Sequence, residues 1–363
     1  MSERVLVAMS GGVDSSVAAL MLKESGHDVV GVFMRNGVST EGVVHRRSCC
    51  SVEDAHDARR VADMIGIPFY VLNFQEEFEG IIRSFVEDYN RGLTPNPCIL
   101  CNRDLKFGKL FGYAKAVGAE QVATGHYAIV AEEAERGWSL KKARDDAKDQ
   151  SYVLFPLRRG DLRNIRFPLG ALLKVEVREI ARRKGLPVKD KPESQDICFV
   201  PDDNYGNLIM KVAPDSVREG EIRGVDGKAV GRHRGHQFFT IGQRKGIGAH
   251  GHPMYVVDID AGTNTVTIGE DGDVHAPGME VAGVNWLGCE PPTAGASFPW
   301  KVKIRHRHTP AEATVTVGAD GAALVRFADP QRAITPGQAA VFYDGDIVMG
   351  GGWIGRVARG EVA

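Results

Sequence analysis

Apolar positions in the first 130 residues alternate between short unbroken runs and longer stretches with helical spacing. The short runs at residues 5–9, 29–34, 69–72 and 121–124 predict strands. Between them, residues 13–24, 52–65, 76–90 and 105–117 carry apolar side chains three and four apart, which predicts helices with one face on a core. Ser51 followed by Asp54 makes an N-terminal cap for the second helix. Strand and helix in alternation predict a parallel sheet covered by helices on both faces. A further helix is expected over residues 174–184, stopped by Gly185 and Pro187.

From about residue 201 the texture changes. Helical periodicity fades, glycine becomes frequent, and β-rich runs appear at residues 255–259, 265–268, 300–304, 323–327 and 339–343. Asp226-Gly227, Asp271-Gly272, Asp320-Gly321 and Asp344-Gly345 supply turns between runs. The expected fold class is therefore an α/β N-terminal domain with a parallel sheet, followed by two small β-rich modules, the last a β-barrel. The expected domains are residues 1–200, 201–270 and 271–363.

Length agrees with this division, since 363 residues exceed a typical single domain. With 43% hydrophobic and 25% charged residues, the chain reads as an ordinary globular protein with sizeable cores. No apolar run is long enough to cross a membrane, and the N-terminus lacks a secretory pattern, so the expected location is the cytoplasm. A net charge of −2 does not announce a nucleic-acid binder; RNA would need local basic patches. One basic group comprises Arg158, Arg159, Arg163, Arg166 and residues 178–184. Lys301, Lys303, Arg305 and Arg307 alternate along an expected strand and so would share one face.

The first run leads into Ser10-Gly11-Gly12-Val13-Asp14-Ser15-Ser16 and then a helix. That arrangement aims backbone N–H groups and the positive helix end at an anion, while glycines let phosphate approach and serines add donors. No lysine stands in the Walker position, so this is not the usual NTPase loop. Gly246, Gly248 and Gly251 also fit a dinucleotide fingerprint, but charged residues precede them and His252-Pro253 follows, so the strand–turn–helix context is missing.

Six cysteines in a chain of this length do not make a disulfide scaffold. Cys98 and Cys101 follow two prolines, with a helix expected to begin just beyond Cys101, where a thiol is more acidic and more nucleophilic. Cys198 stands far off in sequence. A structural zinc site would need a second Cys-x-x-Cys, which is absent. Cys49 and Cys50 follow two arginines in an expected loop, and Cys289 reads as structural.

The phosphate-loop string resembles the PP-loop ATP pyrophosphatases, which adenylate a substrate and release pyrophosphate. Together with TPNPCILCN, TGHYA, KDQSY, SQDICF, IGQRKGIG and TPGQAAVFYDGD, in that order, it resembles the MnmA family of bacterial tRNA-specific 2-thiouridylases over nearly the whole chain. The resemblance implies ATP contacts at Ala8, Met9, Ser10, Gly11, Gly12, Val13, Asp14, Ser15, Met34 and Gly125, with Mg2+ near Asp14. It implies tRNA contacts at His126, Lys148, Asp149, Gln150, Arg305, His306 and Gln338, with Gln150 reading the edge of a flipped uracil. Cys198 matches the persulfide carrier and Cys101 its catalytic partner, releasing sulfur as hydrosulfide or through a Cys101–Cys198 disulfide. A sulfur-donor protein fed by a cysteine desulfurase is the implied partner. Cys98 departs from the family pattern, in which aspartate commonly stands. It makes Cys98, Cys101 and Cys198 a three-thiol set of the kind that holds a [4Fe–4S] cluster with one iron open to hydrosulfide. The sequence leaves the cluster route and the cluster-free persulfide route both open. A synthetase adenylating a small metabolite would share the loop, but would leave the separated cysteines unexplained.

Overall fold

The computed structural model describes residues 2–37, 52–193, 197–200 and 204–359. Cys49, Cys50 and the capping Ser51 lie outside the described residues, as do Gln195 and Asp196 of the Cys198 string. Among the described residues no helix is long and apolar enough to cross a membrane. The chain divides into two compact units.

The first unit holds residues 1–82, 97–203 and 346–348. It opens with β1 (Arg4–Ala8), α1 (Val13–Glu24), β2 (Asp28–Arg35), α2 (Val52–Ile65), β3 (Phe69–Asn73) and the start of α3 (Gln75–Asn90), as the periodicity predicts. α4 (Pro97–Leu100), a π-helical stretch over Cys101–Lys109 and α5 (Leu110–Ala116) replace the single helix expected over residues 105–117. β4 (Gln121–Thr124), a hairpin of β5 (Ile129–Glu133) and β6 (Gly137–Lys141), the two-residue β7 (Ile165–Arg166) and α6 (Lys174–Arg183) complete it. The hairpin escapes the sequence reading because its strands are half-exposed and lack clean alternation.

Five strands form one parallel sheet in the order β3-β2-β1-β4-β7. Val5, Leu6 and Val7 are fully buried, which is why β1 reads as an unbroken apolar run. One core cluster joins that strand to Val17, Ala18 and Ala19 of α1, Ala58, Val61 and Ala62 of α2, and Val177 and Ala181 of α6. The order steps from β1 through β2 to β3 on one side, then returns to β4 on the other. Between β1 and β4 the connections part, leaving a crevice at the carboxyl ends of these strands where open α/β sheets bind ligands.

The second unit contains residues 83–96, 204–345 and 349–363, and so takes in the C-terminal half of α3. α7 (Tyr205–Val212) precedes β8 (Gly220–Gly224), β9 (Ala229–His233), β10 (Tyr255–Asp260) and β11 (Thr265–Gly269), a four-stranded sheet in the order β10-β11-β8-β9. Its core comprises Ile222, Phe239, Ile247, Val256, Val266 and Ile268. Tyr89 of α3 stacks on Tyr205 at 4.5 Å between ring centroids.

β12 (His275–Trp286), β13 (Ser297–Lys303), β14 (Ala311–Val317), β15 (Ala323–Arg332), β16 (Ala339–Asp344) and β17 (Ile347–Ala358) form the expected barrel. Their order is β12-β15-β14-β13-β16-β17, and the β12–β17 pairing closes it, which removes exposed sheet edges. Asp320 and Gly321, with φ of 53° and 73°, form the tight turn between β14 and β15 that an Asp-Gly pair predicts. The expected basic strand face over residues 301–307 is corrected: β13 ends at Lys303, which is buried, and Arg305 and Arg307 follow in a turn. Strand alternation stops with the strand, so it does not extend the face of Lys301 and Lys303 to Arg305 and Arg307.

Phe342 is fully buried, its ring 6.1 Å from that of Trp286 and 6.5 Å from that of Trp300. Phe342→Ala should cost about 3–5 kcal/mol, read from the denaturant midpoint of the barrel's transition. A loss below about 1 kcal/mol would mean that these rings do not form a packed core.

Candidate active site

The β1 strand ends at Ala8, and Met9 N–H still donates to the Val32 carbonyl at 2.7 Å. Gly11 then turns the chain with φ +73°, and a side-chain carbon there would overlap the Asp54 carbonyl oxygen of α2. Only glycine meets both demands. Gly12 caps α1 with no side-chain hydrogen bond, so the first N–H groups of the helix stay directed at the crevice. Ser10 N–H donates to Ser15 Oγ at 3.1 Å, and Ser16 Oγ donates to the Gly12 carbonyl at 2.8 Å. These serines therefore brace the loop, and the anion donors are mainly backbone. Met34 is half-buried at the end of β2.

Gly125, just past β4, closes the other side. A Cβ there would lie 2.6 Å from Ser15 N, so α1 and the end of β4 approach as closely as backbone permits. Tyr127, two residues on, donates its hydroxyl to Asp14 Oδ1 at 2.9 Å. Lys174 Nζ, from the start of α6, donates to Asp14 Oδ1 and Oδ2 at 2.6 and 2.7 Å. Glu193 gathers Lys148 at 2.6 Å, Lys174 at 3.2 Å and Arg178 at 3.6 Å. Lys191 binds Asp54 at 2.6 Å, Asp57 at 2.7 Å and the Gly11 carbonyl at 3.0 Å. Burial alone would raise the Glu193 carboxyl, but hydrogen bonds from Lys148 and Lys174 outweigh it and hold the group below its ordinary value. Burial and the Asp14 carboxylate push the Tyr127 phenol far up, so it stays a donor. Lys174, Lys191 and Glu193 carry no local motif that the sequence reading singled out, and Tyr127 lies in the TGHYA string without a role assigned to it.

Gln150 exchanges two hydrogen bonds with Tyr127: its N–H donates to the Tyr127 carbonyl at 2.8 Å, and its Oε1 accepts from Tyr127 N–H at 2.9 Å. An N–H can be met only by the oxygen of the amide, so the Gln150 amide orientation is fixed. Asp149, 5% exposed, accepts Ala143 N–H and Ser151 N–H, each at 3.1 Å, and the Ser151 hydroxyl at 2.8 Å. Its carboxylate thus folds the loop from within. His126 is likewise 8% exposed; Nδ1 meets Thr124 Oγ1 at 2.6 Å and Nε2 meets Lys106 Nζ at 3.4 Å. Phe107 and Phe167 pack against its ring, which makes it a core histidine.

Cys98 is exposed, while Cys101 and Cys198 are half-buried. Pro97 opens α4 in the position proline favours, so Cys98 occupies the first helical turn and Cys101 begins the π-helical stretch. This corrects the expectation that the helix starts beyond Cys101. Asn102, 1% exposed, donates Nδ2 to the Val153 carbonyl at 3.0 Å, tying the cysteine stretch to the turn that follows Gln150. Among the described residues no group of three or more His, Cys, Asp or Glu side chains comes close enough to hold a metal ion. A magnesium ion carried on nucleotide phosphates needs only one or two carboxylates, and Asp14 on the phosphate loop fits that demand. In the second unit Arg305 Nη1 donates to the Arg332 carbonyl at 3.1 Å, and His306 is exposed. Gln338 Nε2 donates to the Thr94 carbonyl at 2.8 Å.

Family models match along the chain. Residues 3–202 match one described as a tRNA methyl transferase HUP domain, residues 207–270 a tRNA methyl transferase PRC-barrel domain, and residues 277–354 an aminomethyltransferase β-barrel domain. The chain is 47% identical over 358 residues to a tRNA-specific 2-thiouridylase MnmA of Geobacter metallireducens, covering 97% of this chain and 96% of that one. Identity to the MnmA 1 of a Thermoanaerobacter species is 47% over 363 residues, 99% of each chain. The MnmA of Chloroflexus aurantiacus is 46% identical over 361 residues, again 99% of each.

Burial, then the Lys106 charge, pushes the His126 imidazole well below its ordinary value. A depressed folded value leaves stability intact above the unfolded pKa of about 6.5 and removes it as pH falls below that. Wild type should lose up to about 1.4 kcal/mol per pH unit through this group, and His126→Gln should lose correspondingly less between pH 7.5 and 5. Parallel pH profiles of stability for the two proteins would show that His126 is not buried uncharged.

Proposed function

The chain belongs to the MnmA family of tRNA-specific 2-thiouridylases, and we propose that it catalyses ATP-dependent 2-thiolation of the wobble uridine of tRNA, releasing AMP and pyrophosphate. What supports the reading, beside the family, is a line of contacts in the first unit that joins the phosphate loop, the oriented Gln150 amide and the stretch carrying Cys101. Methyl transfer, as worded in the family models, would give the phosphate loop no task.

The loop from Ala8 to Ser15, with Met34 and Gly125 beside it, holds ATP. Magnesium held through Asp14 would neutralise phosphate charge. Uracil O2 bonds to the α-phosphorus; the bond to the β-phosphate oxygen breaks, and its electron pair leaves with pyrophosphate. The base loses its N3 proton to solvent. Adenylation turns a poor oxygen leaving group into AMP, which opens C2 to sulfur. The terminal sulfur of a Cys198 persulfide adds to C2 and AMP departs. The Cys101 thiolate then attacks Cys198 Sγ; the sulfur on C2 leaves as the 2-thiouridine anion, and a Cys101–Cys198 disulfide remains for an external thiol to reduce. In the second unit Arg305, His306 and Gln338 contact tRNA. Lys148 and Gln150 do so near the crevice, and Asp149 and His126 support their neighbours from within. A sulfur-donor protein fed by a cysteine desulfurase loads Cys198, and the cytoplasm is where these partners meet.

The test is thiolation of unmodified tRNA with ATP, magnesium and a desulfurase-loaded persulfide, with AMP and thiolated nucleoside counted in equal amounts. Iron and acid-labile sulfide are measured on the same protein; iron-dependent thiolation would replace the persulfide route with a cluster. Cys101→Ser should abolish thiolation while ATP and tRNA binding change less than about threefold. Substantial remaining activity removes Cys101 from the chemistry. Arg305→Ala should weaken tRNA binding and lower the slope of log affinity against log salt by about 0.7–0.9 if one phosphate contact is lost. An unchanged slope means that Arg305 does not touch phosphate.

A further inference from the structure

ATP brings several negative charges to a loop whose seven residues, Ser10 to Ser16, include one carboxylate and no cation. In phosphate loops of the Walker type a lysine within the loop meets that charge. Here an ion pair and a hydrogen bond bring two lysines to the loop from more than 150 residues away, and they are placed differently. Lys191 is held by Asp54, Asp57 and the Gly11 carbonyl, a set that fixes the backbone of the loop. Lys174 reaches the loop only through the Asp14 side chain, with Glu193 at 3.2 Å and the Tyr127 ring 5.7 Å from its ammonium.

We propose that Lys174 is a catalytic residue of the adenylation step, exchanging Asp14 for the β- and γ-phosphate oxygens of ATP. The proposal rests on the nucleotide-activating reading above and adds to it the cation that the loop lacks. Its geometry suits the task. The Lys174 backbone N–H is anchored on Asp145 Oδ2 at 2.8 Å, so the root of the side chain is fixed. The side chain is 11% exposed, which strengthens its field on a neighbouring anion. Asp14 sits in the first turn of α1, so the ammonium bound to its carboxylate lies beside the start of that helix. As uracil O2 bonds to the α-phosphorus, the electron pair of the breaking bond moves onto pyrophosphate. A fixed ammonium there stabilises the charge as it develops.

Lys174→Met removes the charge, and Lys174→Arg keeps it in another shape. Two quantities are read: ATP affinity by calorimetry in EDTA, and the rate of pyrophosphate release with magnesium and unmodified tRNA. Metal-free affinity should fall about tenfold or more in Lys174→Met, and kcat for pyrophosphate release about 100-fold. The KM for tRNA should stay within about twofold, and Lys174→Arg should fall between. Because Lys174→Met leaves Asp14 without its ammonium, both lysine states are also compared in an Asp14→Asn background. Loss of metal-free affinity in that background supports the proposal. Recovery there to the level of Asp14→Asn alone overturns it and makes Lys174 a counter-ion only. A wild-type chain that binds ATP but releases no pyrophosphate with tRNA counts against the thiolation reading, and metal-free affinity then still decides the lysine.

Discussion

The close approach of α1 to the end of β4 is the constraint from which the first unit's chemistry follows. It exists because position 125 carries no side chain: a Cβ would meet Ser15 N at 2.6 Å. Once that contact is set, Asp14 and Tyr127 face each other and bond at 2.9 Å. The backbone of Tyr127 then holds Gln150 through two hydrogen bonds, and the turn after Gln150 holds Asn102 through the Val153 carbonyl. Asn102 is the neighbour of Cys101. A continuous line of contacts thus runs from the phosphate loop through the Gln150 amide to the stretch that carries Cys101. Each link is short and directional, so a shift at one end is passed on rather than absorbed.

Local pattern carries local structure, and the parts of the site that depend on distant contacts leave no trace in it. α1, α2 and β4 have the bounds read from the sequence: β4 is a fully buried strand and α2 an amphipathic helix, each writing its period into adjacent positions, while α1 is buried on nearly every side. The phosphate loop is equally legible, since its glycines and first-turn helix are contiguous. Lys174 reads in sequence as the start of an ordinary helix; only the fold brings it 2.6 Å from a residue 160 positions earlier. Asp149 and His126 show that depth in the fold is not legible either. Their residue types suggest contact with a polar partner, yet they meet that need with protein donors inside the core. The basic run at residues 301–307 misleads for a third reason: alternation implies a shared face only while the chain stays extended, and β13 ends at Lys303.

The second unit places its polar groups in a similar way. His236 meets Asn264 Oδ1 at 2.9 Å and the Asn90 carbonyl at 3.1 Å, while Gln237 donates to Asn90 Oδ1 at 3.0 Å. These bonds fix the end of α3 against the four-stranded sheet. Thr94 is fixed in turn by the Pro336 carbonyl at 2.9 Å and by Gln338. The segment over residues 83–96 is therefore anchored at both ends before Pro97 opens the cysteine helix. The Gln338 amide anchors the chain with its donor group and keeps a separate acceptor oxygen.

The π-helical stretch over Cys101–Lys109 is the place where local preference and function part most clearly. Nothing in the composition of CNRDLKFGK asks for so wide a helix, and such runs are rare because their hydrogen bonds are poorer. At its end the Leu110 N–H bonds the Leu105 carbonyl five residues back, and Gly108 passes so near the Arg103 carbonyl that a Cβ would lie 2.9 Å from it. The added residue per turn rotates everything after it relative to Cys101. That rotation lets Asn102 face Val153 while Lys106 and Phe107 face His126, two demands that a regular helix over these few residues would set at other angles. The cost of the irregular turn is met by the buried contacts on either side. The irregularity lies beside the proposed nucleophile, where a departure from local preference is expected to carry function.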